Sequence, residues 1–230
     1  MTLSNRKILR TLLCLLAGTL YAVCLSACDA KEPLSENRDA EIESPVIAND
    51  LSNQKVTAIA EDTQGHIWIG TFRGLNKNNV HDYHQYFCTD DSLGLPDNQI
   101  THLLRDSKNR FWVGTVNGVC LYTDKDNFRI IPIEADNKNV RQILEDRNGR
   151  IFLNTGFQLY AYHPREEKIT CVLPEISPGN AFYAQCHIAP DNNLWVMTST
   201  GLRCYDPSTL QLKESVALSG YPYYLSLIHI

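Results

Sequence analysis

Basic charge is in short supply in this sequence. Its 21 Lys and Arg stand against 26 Asp and Glu, a net charge of −5, so there is no electrostatic footprint for nucleic acid. Cysteine is present but unpatterned. Beyond residue 28 it occurs at Cys88, Cys120, Cys171, Cys186 and Cys204, an odd number without a C-x-x-C or a zinc-type spacing. Most of these read as small buried hydrophobes, with one disulfide open to an exported chain. No Gly-rich loop leads from a strand into a helix, and no serine stands in a visible His and Asp arrangement. The chain is therefore read as non-enzymatic, with no cofactor and no metal. His81-Asp82-Tyr83-His84 with Cys88 has ligand chemistry, but no second cluster faces it, and it falls in a variable outer strand or loop. Long apolar runs are missing as well. Thr11 to Val23 is uncharged, yet a membrane span needs about 20 residues. What remains, 43% hydrophobic and 20% charged over 230 residues, suits one or two globular domains.

The N-terminus is a targeting element. Arg6, Lys7 and Arg10 form a positive start, the apolar run follows, and Leu25-Ser26-Ala27-Cys28 closes it. That is the order of a secretory signal over residues 1–27, with an uncleaved signal anchor as the alternative. The last four residues resemble the bacterial lipobox, which implies lipidation at Cys28. Cleavage there removes three positive charges and takes the net charge from −5 to −8. Residues 28–55 follow as an acidic tether: between Asp29 and Asp50, seven acids face two bases, with Pro33 and Pro45 interrupting.

Beyond the tether the sequence repeats. Glu61-Asp62-Thr63-Gln64-Gly65-His66-Ile67-Trp68-Ile69-Gly70-Thr71 aligns with Arg105 to Thr115, with Glu145 to Thr155 and with Asp191 to Thr198. Thr71, Thr115, Thr155 and Thr198 are 44, 40 and 43 residues apart. A period near forty, rich in aromatic and β-branched residues, denotes propeller blades or a related array. Each unit decodes as four short strands. The first runs over Val56–Ala60, Ile100–Leu104 or Val140–Leu144. An Asp-x-x-Gly or Asp-x-x-Asn hairpin turn follows, whose Asp bonds the backbone two residues on and whose Gly or Asn accepts positive φ. The second strand, Ile67-Trp68-Ile69 or Phe111-Trp112-Val113, is apolar on both faces and so central. The third begins at Leu75, Val119 or Leu202. The fourth drifts most, as in Arg129–Ile133 and Lys168–Leu173. Trp68, Trp112 and Trp195 share one repeat position, that of blade-to-blade packing. The predicted fold is all-β: a β-propeller of about four blades of four antiparallel strands, at 56–99, 100–139, 140–182 and 183–224.

This pattern is similar to the two-component regulator propeller repeat. Gly94-Leu95-Pro96-Asp97-Asn98 resembles its Gly-Leu-Pro-x-Asn connector, and Asp62-x-x-Gly65-x-Ile67-Trp68-Ile69-Gly70-Thr71-x-x-Gly74-Leu75 its central line. The third unit departs, with Phe152 for Trp, Asn154 for Gly and Gln158 for Gly, and the fourth has Ala189 for Asp. The resemblance implies the periplasmic sensor region of a hybrid two-component histidine kinase that responds to carbohydrate breakdown products. It further implies an oligosaccharide ligand, membrane attachment through Cys28 or a downstream span, and a homodimer of the intact receptor. Kinase, receiver and later span are absent from these residues, and four units are the low edge for closing a propeller. Residues 225–230, Leu-Ser-Leu-Ile-His-Ile, resemble an in-frame sequencing adapter. An incomplete propeller, the N-terminal fragment of such a sensor, is thus the expectation. A free-standing glycan- or protein-binding lipoprotein is the alternative, and a propeller lyase of the streptogramin-lyase type a more distant one.

Strand alternation places one set of loops on one face: Phe72-Arg73, Val116-Asn117, Gly156-Phe157 and Ser199-Thr200, with Asp97-Asn98 beside them. Aromatic, Arg and Asn side chains there suit stacking on a sugar and bonding to its hydroxyls. Phe72, Arg73, Asn117 and Phe157 are the candidate ligand-binding residues. Asp62, Asp106 and Asp146 recur as a row of acids but are read as turn chemistry.

Overall fold

The computed structural model describes residues 46–89, 94–123, 125–174, 184–198 and 201–217. The expectations for the signal, Cys28, the tether before residue 46, Ser199-Thr200 and residues 218–230 lie outside the described residues.

Each repeat unit folds as one antiparallel sheet, and the Asp step sets its first hairpin. Asp62 N donates to His66 O at 3.0 Å, and the pattern returns at Asp106 to Arg110, Asp146 to Arg150 and Ala189 to Asn193. The fourth residue of every step is left-handed: Gly65 at φ 83°, Asn109 at 64°, Gly149 at 73° and Asn192 at 66°. Glycine and asparagine tolerate that region best. The fourth unit keeps the turn although Ala189 has no carboxylate: the backbone bonds are the same, and Asp191 Oδ1 accepts from Asn193 N.

The first sheet contains β1 (Val46–Ala48), β2 (Val56–Glu61), β3 (Ile67–Thr71), β4 (Gly74–Asn79) and β5 (Asp82–Tyr86), in the spatial order β1-β5-β4-β3-β2. It has five strands where four were expected. Val46–Ala48, inside the stretch expected as tether, pairs antiparallel with the open outer edge of β5, Ile47 opposite His84. An unpaired strand edge is a template for such addition. The second sheet is β6 (Ile100–Arg105), β7 (Phe111–Thr115), β8 (Gly118–Tyr122) and β9 (Phe128–Ile131). The third is β10 (Gln142–Glu145), β11 (Ile151–Asn154), β12 (Leu159–His163) and β13 (Lys168–Leu173). The fourth is β14 (Gln185–Ile188), β15 (Leu194–Thr198), β16 (Gly201–Tyr205) and β17 (Leu212–Ala217). In these three, sequence order is spatial order. First strands touch in succession, β2 with β6, β6 with β10 and β10 with β14. The sheets are therefore consecutive blades with their first strands innermost.

The core lies between blades. Trp68 is wholly buried and stacks on Tyr86 of its own sheet, with Phe111 and Tyr122 of the next sheet at centroid distances of 5.0 and 4.7 Å. Trp112 meets Tyr162 of the third sheet edge-on at 4.9 Å. Leading faces differ along the row. Leu103 and Phe111 of the second blade are buried at 6% and 4% exposure, whereas their first-blade counterparts Ile59 and Ile67 stand 66% and 38% exposed.

Gly70 and Gly114 allow close blade approach. A Cβ on Gly70 would lie 2.6 Å from Ile100 Cγ2, and one on Gly114 3.1 Å from Val140 Cγ1. In the third blade Asn154 fills that place. Its Nδ2 donates to Gln142 Oε1 and to the Ala184 carbonyl, both at 2.8 Å, and Gln142 Oε1 also accepts from Cys186 N. A hydrogen-bonded clamp replaces the apolar contact, which is why this departure from the repeat leaves the array intact.

Candidate functional site

Two faces of the row carry chemistry. The first is the rim of β3–β4, β7–β8 and β11–β12 turns. At each turn a threonine hydroxyl donates across the bend: Thr71 to Gly74 O at 2.8 Å, Thr115 to Gly118 O at 3.0 Å and Thr155 to Gln158 O at 3.3 Å. The recurring threonine thus braces the turn that presents the candidate residues. The backbone ties these turns to the connectors. Phe72 N donates to Lys55 O, Gly74 N to Asn98 O, Val116 N to Gln99 O and Ala184 N to Gly156 O. The connector motif explains itself here: Leu95 is buried between blades, and Asn98 Oδ1 accepts from Cys88 N at 2.6 Å.

On this rim Phe72 and Phe157 are each 39% exposed, and Arg73 and Asn117 are exposed. Lys55 Nζ sits 3.6 Å from the Phe72 ring centroid. All four residues occupy equivalent turns of consecutive blades. Among the described residues no hydrogen bond or ring contact joins Phe72, Arg73 and Asn117 to one another, so the rim is a row of separate contacts.

The opposite face has a feature that the sequence reading did not single out. A cleft of about 180 Å³ opens between the first two blades, lined by Asp62, Lys77, Arg105, Asn109, Phe111, Tyr122 and Asp126 among others. Its acids are anchored. Asp62 Oδ1 accepts from Gln64 N and His66 N, and Oδ2 from His66 Nδ1 and from Trp68 Nε1 at 2.9 Å. Burial opposes ionisation of Asp62, but the bonds from Trp68, His66 and Gln64 outweigh it and hold the carboxyl below its ordinary range. Asp106 repeats the arrangement, accepting from Lys108 N, Arg110 N, Arg110 Nε and Trp112 Nε1. Asp146 does so with Arg150 but faces Phe152, which has no N–H to offer. The acid row is turn chemistry, as expected, with an added side-chain bond to tryptophan at i+6.

Asp126 is specific to this cleft. Its Oδ1 accepts the hydroxyls of Tyr86 and Tyr122, each at 2.7 Å. Burial disfavours its charge, yet the two hydroxyls, Lys77 and His84 together hold its carboxyl below the usual value. Burial first, and then the Asp126 charge, push both tyrosines up. Lys77 Nζ donates to Tyr122 Oη at 3.3 Å and lies 5.3 and 5.4 Å from the Trp68 and Tyr122 ring centroids. The sequence signal was available. By register Lys77 pairs with Trp68, as Leu121 pairs with Trp112, Ala161 with Phe152 and Cys204 with Trp195. A lysine in that column is the anomaly.

The remaining motifs are quieter. His81-Asp82-Tyr83-His84 lies on or beside β5, with His84 Nε2 3.9 Å from Asp82 Oδ1. Among the described residues no three His, Cys, Asp or Glu side chains gather so as to hold a metal ion. Cys120, Cys171, Cys186 and Cys204 carry free thiols.

A row of four-stranded antiparallel blades packed through tryptophan and tyrosine defines a β-propeller domain. Within it, residues 50–73 and 94–117 match the profile described as two component regulator propeller. A search of curated protein sequences gave no match. Among solved structures the chain is similar to the extracellular domain assigned to a hybrid two component system of B. thetaiotaomicron, at 24% identity and a TM-score of 0.59, covering 72% of this chain and 22% of that one. It is also similar to virginiamycin B lyase from Staphylococcus aureus, at 18% identity and a TM-score of 0.57, covering 75% of this chain and 59% of that one. The chain thus spans about a fifth of the length of the hybrid-system domain. At these identities the likeness is one of fold.

Proposed function

We propose that this chain is ligand-sensing propeller from an extracytoplasmic, membrane-associated hybrid two-component sensor histidine kinase responding to carbohydrate breakdown products. The observation that carries the reading is the pair of two-component regulator repeats at 50–73 and 94–117, set in consecutive blades. The secretory pattern of residues 1–27 and the fold likeness to a hybrid-system extracellular domain support it. In this reading the propeller is non-catalytic and the kinase lies elsewhere in the intact protein. Phe72, Arg73, Asn117 and Phe157 contact an oligosaccharide on the rim, Cys28 carries the lipid, and ligand biases packing between propellers in a receptor dimer. Binding on loops held by a rigid scaffold fits the exposed turns described above.

Reading the genomic frame onward from Tyr224 tests the parentage: a histidine-kinase core in frame supports it, and an immediate stop codon overturns it. In the intact receptor, Phe72→Ala with Arg73→Ala should weaken the response to oligosaccharide; an unchanged response would remove the rim from the mechanism. The fold likeness to virginiamycin B lyase supports a second reading. Incubation with quinupristin, the compound named with that lyase's inactive variant, followed by mass spectrometry, separates the two: a converted product favours the lyase.

A further inference from the structure

We infer that the cleft between the first two blades is a binding site for one small, neutral, polyhydroxylated molecule of about the size of a single sugar ring. The inference goes beyond the rim site and does not depend on it. The array supplies its own control, because the second and third blades meet through the same repeat positions. There Leu121 stands in place of Lys77, Ile151 in place of Phe111 and Tyr162 in place of Tyr122, and all three belong to one buried apolar cluster. Arg110 closes that interface, its guanidinium 5.1 and 5.2 Å from the Trp112 and Tyr162 rings. At the first interface the place of Arg110 is taken by the shorter His66, and the cation over the rings comes from Lys77. A cleft of about 180 Å³ results, with room for several water molecules. Breaking a repeat's apolar column with a charge costs stability, and such exceptions concentrate at functional sites.

The lining dictates the ligand. Lys77 and Arg105 oppose Asp62 and Asp126, so the four formal charges sum to zero and favour no net charge in the guest. Both Asp62 oxygens are already engaged. Asp126 Oδ1 holds two tyrosine hydroxyls, which leaves Oδ2 as an ionised acceptor. Lys77 gives one hydrogen bond to Tyr122, and Arg105 gives Nη1 to the Asp62 carbonyl; their other N–H groups remain for a guest. A charged acceptor beside charged donors suits neighbouring hydroxyls, each of which both donates and accepts. The half-buried Tyr122 ring supplies an apolar edge for the C–H face of such a molecule.

The test is ligand-observed NMR on the folded chain with glucose, galactose, mannose and xylose, and with glucuronate and galacturonate for comparison. At least one neutral monosaccharide should bind saturably at millimolar concentration. Lys77→Leu, which installs the residue of the second blade, should weaken it about tenfold or more while melting no lower than wild type. Asp126→Asn should weaken it too, which keeps the test open should Lys77→Leu fail to fold. Phe72→Ala with Arg73→Ala should leave this binding unchanged, so a failed rim and a failed cleft give different results. Absence of binding by every neutral sugar, binding by uronates alone, or equal binding by wild type and a folded cleft variant would each overturn the inference.

Discussion

Asp106 is the most demanding test of how a blade is held together. Its carboxylate has no side-chain exposure and accepts four hydrogen bonds. Asp106→Ala frees two turn N–H groups and takes its carboxylate partner from the Arg110 guanidinium, whose Nη2 is buried. The Trp112 indole cannot reach water. Its nitrogen lies in a wholly buried side chain, 2.8 Å from Asp106 Oδ2, and an unsatisfied buried donor costs about 1–3 kcal/mol. With the lost charge-assisted bonds the total comes to about 3–4 kcal/mol. At about 2–4 °C per kcal/mol for a domain of this size, the melting midpoint should fall by about 6–16 °C. Asp146 is the internal reference, because it keeps the turn bonds and the arginine but faces Phe152. Asp146→Ala should cost less than Asp106→Ala by about 1 kcal/mol or more. Urea denaturation followed by circular dichroism measures both. Trp112→Phe should also be milder in the Asp106→Ala background than in wild type, a coupling of about 1–2 kcal/mol. Equal costs for the two aspartates, together with zero coupling, would refute the assignment of the indole bond as a structural tie.

Three further expectations follow from the same geometry. The folded-state pKa of Asp62 lies below the ordinary 3.8, so its contribution is fully present above about pH 4 and is lost as pH falls through the folded value; the urea midpoint should drop in that window, and less steeply in Asp62→Asn. Gly70→Ala would set a methyl 2.6 Å from Ile100 Cγ2 and should destabilise by about 1–3 kcal/mol, with partial rescue by Ile100→Val in the same melting assay. Burial pushes the Cys186 thiol up to about 12 and the Cys120 thiol up as well, so maleimide labelling with peptide mapping should modify exposed Cys171 in the native state and reach Cys120 and Cys186 only in denaturant.

Local chemistry was legible without coordinates. The Asp-x-x-Gly and Asp-x-x-Asn steps announced hairpins, and Gly65, Asn109 and Gly149 are left-handed as that reading requires, as is Asn192 in the unit that has Ala189 for Asp. The apolar Ile67-Trp68-Ile69 run announced a central strand, and β3 lies between β2 and β4. The rim loops followed from strand alternation alone. Val46–Ala48 was not legible as a strand, because its partner, β5, is contributed by residues far along the chain. Nor was the Asn154 clamp, since an asparagine at a glycine position has no local meaning until Gln142 and Ala184 are brought beside it. Lys77 was visible only as one odd residue in a column, and its partners Tyr122 and Asp126 sit on the next blade.

The sequence by itself determined the repeat, its turns, the order of the four strands within a unit and the side on which each loop emerges. These depend on residues within about ten positions of one another, where backbone preference and turn chemistry act directly. Tertiary structure alone decided which side chains meet across each blade interface, and hence that the first interface holds a polar cleft where the second is packed by a buried apolar cluster. That outcome belongs to pairs of residues some forty positions apart, whose meeting is fixed by packing one blade on the next.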